Sequence, residues 1–380
     1  MLRLKQRLLS AVRTVAPLAA ASLHRLSLST TTAARPPARF VAEDYLVATC
    51  GLTPAQARKA SKYLSRLRSP VKPDAVRAFL AGIGLPKADV AAAVVSYPPL
   101  LCANVDKTLT PRIAQLRQIG LSPPQIPCLI AVVPEVFFSP VKISRLTFYL
   151  SFLGSYDRVH SALKRSDYLL RQDVETVVRP NIAFLHQCGL TDYDIGKHFM
   201  LTSRMLLSEP QRVKEIAVRA EELGVPRNSV MFKHALLALY SLNPVRLSAK
   251  LDFLKKVLGC SEADLCILVR KLPTILTKSE RKIGCTVEFL MVEVGLEPLY
   301  ILFRPAMFGY SIEKRLMPRH FVVKVLKAKG LVKKDIDFYN VVCLNEKRFT
   351  EKFLVHYNKS VPGLIDAYAA AFTGQVPPEL

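Results

Sequence analysis

Tryptophan is absent from this chain, and no Gly-x-Gly-x-x-Gly or Gly-x-x-x-x-Gly-Lys-Ser/Thr loop occurs in it. The second absence removes the phosphate-cradling turns of the common nucleotide-binding folds. None of the eight cysteines (Cys50, Cys102, Cys128, Cys188, Cys260, Cys266, Cys285, Cys343) forms a Cys-x-x-Cys pair or has a histidine at zinc-finger spacing. They read as reduced packing residues, and no structural metal is expected. The seven histidines are scattered, with no pair at metal or triad spacing. The chain therefore reads as a non-enzyme with no cofactor and no small-molecule substrate. No apolar run approaches the roughly 20 residues of a membrane helix, so no membrane partner is expected. Acids are missing from residues 1–42, which hold Arg3, Lys5, Arg7, Arg13, Arg25, Arg35 and Arg39. That segment is amphipathic near its start and rich in Ser, Ala and Leu. Pro17 and His24-Arg25 interrupt any apolar core of the kind a secretory signal needs. Residues 1–42 read as an organellar transit peptide, mitochondrial first and chloroplast as the alternative.

Glycine is scarce, and its placement is informative. Gly51, Gly84, Gly120, Gly154, Gly189, Gly224, Gly259, Gly295 and Gly330 stand 33 to 36 residues apart. Length alone would suggest two or three domains. A fixed period of this size marks one continuous stacked-repeat protein instead. Residues 110–140 show the unit. Thr110-Pro111 reads as an N-cap with proline at the first helical position. Ile113, Leu116 and Ile119 recur at helical spacing, and Gly120 stops the helix. Ser122 and Pro123 open a second helix, and Pro134 ends it. Val136-Phe137 then leaves room for one more turn. A proline 14 residues after the glycine recurs at Pro98, Pro134 and Pro273. The fold class is all-α: a solenoid of roughly eight or nine three-helix units over residues 43–372, with a tail at 373–380. The missing Trp/Tyr/Ala signature argues against tetratricopeptide units. The proline break argues against pentatricopeptide units, whose two helices are uninterrupted.

The text Gly-Leu-x-Pro, Pro-x-Leu-Leu and Pro-x-x-x-x-Leu-x-x-x-Gly-Leu resembles the repeat of the mitochondrial transcription termination factor (mTERF) family. Tyr45-Leu-Val-Ala-Thr-Cys-Gly-Leu-Thr-Pro54, Lys72-Pro-Asp-Ala-Val76, Arg179-Pro-Asn-Ile182, Arg304-Pro-Ala-Met307 and Tyr310-Ser-Ile-Glu-Lys-Arg-Leu-Met-Pro-Arg319 resemble its plant branch. The resemblance covers residues 43–372. It implies a left-handed superhelix in mitochondria or plastids that binds nucleic acid in transcription, termination or RNA processing. The third and fifth units depart from it: Asp167-Tyr168-Leu169-Leu170 and Leu239-Tyr240-Ser241 stand where the Pro-x-Leu-Leu proline is expected.

Net charge is +24, and +17 remains over residues 43–380. Such a balance implies an acidic partner, nucleic acid ahead of an anionic membrane. The cations also recur in register, near the start of seven first helices. They are Arg112, Lys142, Arg179, Arg212, Arg246, the pair Arg281-Lys282, and Arg319. The helix dipole disfavours cations there. A bound anion would offset that cost, since helix N–H groups with Arg or Lys make a phosphate site. One such site per unit would form a ladder along a nucleic-acid backbone. Lys314 and Arg315 extend the ladder into a basic C-terminal unit, where Phe308 and Tyr310 could stack on bases. A monomer binding organellar double-stranded DNA to regulate transcription is the first reading. RNA binding in splicing or transcript stability, and a protein–protein scaffold, are the alternatives.

Overall fold

The computed structural model describes residues 40–201 and 203–374. Most of the expected transit segment and residues 375–380 of the tail lie outside the described residues. Every described element is helical.

All nine periodic glycines have a left-handed backbone. In six units the residue after the glycine donates its N–H to the carbonyl five positions back, at 2.9–3.2 Å: Cys260 to Lys255, and five apolar pairs, Leu85 to Leu80, Leu121 to Leu116, Leu190 to Leu185, Val225 to Ala220 and Leu331 to Leu326. This Schellman closure brings the two apolar side chains together. It accounts for the recurring Gly-Leu and Gly-Val text. Helix stop and hydrophobic contact are one device.

Residues 104–138 show how a unit is built. Asn104 accepts the Lys107 N–H at 2.7 Å and caps the first helix. The first turn, Val105–Leu109, is π-helical, and Thr110–Gln118 continues it. The expected start at Thr110-Pro111 is therefore about two turns late. Pro111 is tolerated inside the helix because the wide turn before it relieves the ring clash. The second helix, Gln125–Val132, begins two residues later than the Ser122 cap implies. There Gln125 Oε1 accepts the Ser122 N–H at 2.9 Å, closing a turn first. Val133 leaves the helical conformation, and Pro134–Phe138 forms a 3₁₀ helix that buries Pro134, Val136 and Phe137. That short helix is the third layer of the unit.

The third unit keeps this layer without proline: Asp167–Leu170 is still 3₁₀, with Leu169 and Leu170 fully buried. The fifth unit loses it. Phe232–Tyr240 turns at Ser241 directly into the Asn243 cap of Pro244–Leu258. Equivalent helices stack along the chain. Lys87–Ser96 packs on Gln125–Val132, which packs on Tyr156–Arg165, which packs on Asp192–Leu201. The resulting core runs unbroken from Leu46 to Val342. A second cluster, from Val322 to Tyr368, closes the C-terminal end. Stacking of this kind is how units too small to bury their own faces become stable.

Candidate nucleic-acid interface

The ten cations singled out from the sequence fall into two groups. Arg179, Arg212, Arg246, Arg281, Lys282 and Lys314 are exposed. Arg112, Lys142 and Arg315 are half-buried, and Arg319 is fully buried.

Four of the seven helix starts are true N-termini at the expected place. Ser139, Asn243 and Ser279 accept the N–H of Lys142, Arg246 and Lys282, and Glu209 precedes Pro210. The other three are not. Arg112, Arg179 and Arg319 sit one to two turns inside helices that begin at Asn104, Asp173 and Ser311. The dipole argument does not reach that far, since it fades within the first turn. Each true cap lies seven residues before its proline (Asn104 and Pro111, Asp173 and Pro180, Ser311 and Pro318). That spacing is the sequence signal that marks the earlier start.

The inward-facing members hold the units together. Arg112 Nε donates to the Phe137 carbonyl at 3.1 Å, across 25 residues. Asn181 Nδ2 donates to Leu206 at 3.0 Å and Ser208 at 2.8 Å. Arg319 Nη1 donates to Val341, Val342 and Leu344 at 3.1, 3.2 and 2.6 Å. Its Nη2 pairs with Glu346 at 2.7 Å, and its guanidinium covers the Phe349 ring at 4.4 Å. Arg145 and Lys250 do the same for Leu170, Arg171 and Lys278. Each of these side chains caps the carbonyl end of its unit's second or third helical segment, or the loop just after it. Such carbonyls are otherwise unsatisfied. Arg315 joins them, donating to Val342 and Leu344 at 2.9 and 2.6 Å while stacking on Tyr310 at 4.3 Å.

The outward-facing members differ in what surrounds them. Lys142 lies 3.4 Å from Glu135. Arg179 pairs with Glu175 at 2.9 Å, and Arg212 lies over the Tyr240 ring at 5.3 Å. Among the described residues, Arg246, Arg281, Lys282 and Lys314 have no carboxylate within ion-pair distance. Phe308 is buried and packs in the core, so it offers no face to a base. Tyr310 is half-buried, its hydroxyl 3.7 Å from Cys343 Sγ. Next to the interface, hydrogen bonds from Thr176 hold the Asp173 carboxyl below its usual range, which keeps it an anion beside Arg145. No group of His, Cys, Asp and Glu among the described residues could hold a metal. No described helix is long and apolar enough to cross a membrane.

Two curated relatives were found in Arabidopsis thaliana. One is the mitochondrial transcription termination factor MTEF18, 22% identical over 271 residues, covering 71% of this chain and 46% of the relative. The other is the mitochondrial transcription termination factor MTERF15, 23% identical over 247 residues, covering 64% of this chain and 54% of the relative. The chain thus spans about half the length of the curated relatives it matches. The mTERF family model matches residues 78–297 and 238–350, most of the repeat array described above, and on that match the chain belongs to the mTERF family.

Proposed function

We propose that this chain binds organellar nucleic acid along its phosphate backbone and regulates organellar gene expression, with duplex DNA and transcription as the first target. The observation that carries the reading is the set of exposed cations without carboxylate partners, Arg246, Arg281, Lys282 and Lys314, on a chain with large positive charge. Cations left unneutralised by the protein gain most from phosphate. Arg179 and Arg212 join them as exposed contacts. Arg112, Arg315 and Arg319 act behind the interface by holding carbonyls. Phosphate contacts position a strand without reading bases, so these residues account for affinity rather than sequence choice. The relatives' names, transcription termination factors of mitochondria, agree with this role, and the acid-free segment 1–42 agrees with import into mitochondria.

The test is binding of labelled DNA duplex and its RNA counterpart across a salt series. Replacing Arg246, Arg281, Lys282 and Lys314 by Gln should weaken binding to any sequence. It should also flatten the slope of log affinity against log salt by about 0.7–0.9 per lost contact. Unchanged affinity at every salt concentration would favour the protein-scaffold reading. RNA bound in clear preference to DNA would move the role from transcription to transcripts.

A further inference from the structure

The helix Leu364–Thr373 closes the C-terminal end of the array. It packs on Met317–Ala328 and buries Leu364, Ala367, Tyr368 and Ala371. Phe372 stays exposed, its ring centroid 6.4 Å from that of Tyr368. Between this helix and the Ser311 helix start runs a surface groove of about 690 Å³. Tyr310, Tyr368, Phe372, Gly309 and Ala369 give it an apolar, largely aromatic lining. Its charged members are Lys314, Arg315 and Glu346. Two of these are already engaged. Glu346 accepts from the Tyr368 hydroxyl at 2.7 Å and pairs with Arg319 at 2.7 Å. Arg315 donates to the Val342 and Leu344 carbonyls and stacks on Tyr310. Among the described residues, Lys314 has no carboxylate within ion-pair distance. The groove thus offers aromatic faces beside one unneutralised cation. Aromatic faces suit consecutive prolines, whose extended polyproline II backbone is already restricted and loses little entropy on docking. The cation favours an acid beside them. The sequence just past the helix has this text. Gly374 ends the helix with φ +80°, and Gln375-Val376-Pro377-Pro378-Glu379-Leu380 follows.

We propose that the groove is the docking site of the chain's own segment 375–380, with Pro377 and Pro378 against the aromatic faces and Glu379 at Lys314, and that this segment competes with nucleic acid for Lys314. The competition rests on the backbone-binding reading; the docking does not. Polyproline II advances about 3.1 Å per residue, so Glu379, five residues past Gly374, can reach about 15 Å along the groove. Thr373 and Lys314 both line it. Tethering favours this occupant over a free partner. A short link gives an effective concentration in roughly the millimolar range, so a contact too weak for a separate peptide is still made. The Lys314 contact with phosphate then has to displace Glu379, which tunes affinity without altering the other exposed cations.

The test compares the full chain with one shortened to end at Gly374. Hydrogen exchange should speed up severalfold at 309–316 and 368–373 in the shortened chain and stay unchanged in the earlier units. A labelled peptide with the sequence of 375–380 should bind the shortened chain and not the full chain, whose groove is filled. The same peptide with both prolines replaced by alanine should not bind, and Phe372→Ala in the shortened chain should also abolish binding. On a labelled DNA duplex, the shortened chain should bind roughly threefold tighter. Its slope of log affinity against log salt should steepen by about 0.7–0.9, the share of one phosphate contact. Glu379→Gln in the full chain should reproduce the steeper slope. Unchanged exchange at both walls, or a peptide that binds the full chain as tightly as the shortened one, would overturn the docking; the groove would then be open to a partner's segment or to nucleic acid. Exchange that responds while duplex affinity and slope do not would overturn the competition alone. If neither chain binds duplex with a salt slope, the backbone reading fails, and the exchange and peptide results still decide the docking.

Discussion

Gly189 is the position where the repeat period and the stacking of units meet. Its φ is +84°, as the helix stop requires. A Cβ built there would lie 2.0 Å from Asn228 Oδ1, 2.9 Å from Asn228 Cγ and 3.0 Å from Asn228 Cα. Asn228 belongs to the next unit and is itself left-handed, with φ +64°. Its N–H donates to the Cys188 carbonyl at 3.1 Å, a main-chain bond between two units. Gly189→Ala therefore has two costs. The left-handed backbone costs a non-glycine residue about 1–2 kcal/mol. Displacing Asn228 is a further overpacking cost of about 1–3 kcal/mol, because the 3.0 Å contact is to backbone and cannot rotate away. Gly154 provides the reference: its φ is +73° and a Cβ there meets nothing within 4 Å. Gly154→Ala carries the first cost only.

Urea unfolding of the two variants, followed by circular dichroism, should thus separate them by about 1–3 kcal/mol. Gly189→Val should be worse than Ala, as a β-branched residue tolerates a positive φ poorly. Hydrogen exchange should localise the Gly189→Ala loss to residues flanking 188 and 228, since repeat units couple mainly to their neighbours. Asn228→Gly alone should be nearly neutral, as glycine accepts the left-handed backbone. Combined with Gly189→Ala it should recover the part of the overpacking cost that comes from the Asn228 side chain, the 3.0 Å contact with its Cα remaining, a coupling that a double-mutant cycle reads directly. The reasoning fails if Gly189→Ala costs no more than Gly154→Ala, or if the double variant is simply additive.

The other expectations concern the cations and the histidines. Arg319→Met should destabilise the C-terminal end by about 3 kcal/mol, because three carbonyls lose their donor in a fully buried place; a phosphate ligand at a helix start would instead leave stability unchanged when removed. Arg246→Gln should leave thermal stability within about 0.5 kcal/mol while weakening duplex binding, since the side chain is exposed. His320 is set between Phe289 and Phe338, with ring centroids at 5.9 and 5.8 Å, and burial pulls its pKa down. The unfolded chain then takes up the proton first, so this contribution is full above about pH 6.5 and is lost as the pH falls below that value. His320→Gln should flatten the acid limb of the stability profile, measured by thermal unfolding across pH; an unchanged limb would show that His320 is not the group responsible. Removing residues 1–42 should abolish uptake in an organelle import assay, and unchanged uptake would remove the targeting role.

The glycine period made the architecture legible because one conformational need, a left-handed helix stop, recurs once per unit and few other residues meet it. The proline that opens the third layer was legible for the same reason. Helix starts were less so. Thr110-Pro111 looks like a cap followed by a first-turn proline, and only the backbone shows the π turn that lets Pro111 stand inside. The loss of the third layer in the fifth unit was visible as a missing proline, yet the third unit lacks it too and keeps the layer. Leu169 and Leu170 are buried there, so burial of the apolar pair, rather than the proline, decides whether the layer forms.

The apparent ladder of cations resolves once position is counted from the cap instead of from the proline. Asn104 to Arg112, Asp173 to Asn181 and Ser311 to Arg319 each span eight residues; Asn243 to Lys250 spans seven and Ser139 to Arg145 six. All five side chains lie about two turns into their helix and reach a carbonyl 25 to 28 residues on. The position needs a donor, and arginine, lysine and asparagine each supply one. Arg212, Arg246 and Lys282 stand three residues after Glu209, Asn243 and Ser279 instead, in the first turn of their helices, and are exposed to solvent. Two populations of basic residue thus share similar local text, Pro-Arg in one and Pro-x-Arg in the other. The first spends its hydrogen bonds inside the protein and fixes how the segments of a unit sit. The second keeps its donors free for an anion. Net charge alone cannot separate them, and only the second can make affinity depend on salt.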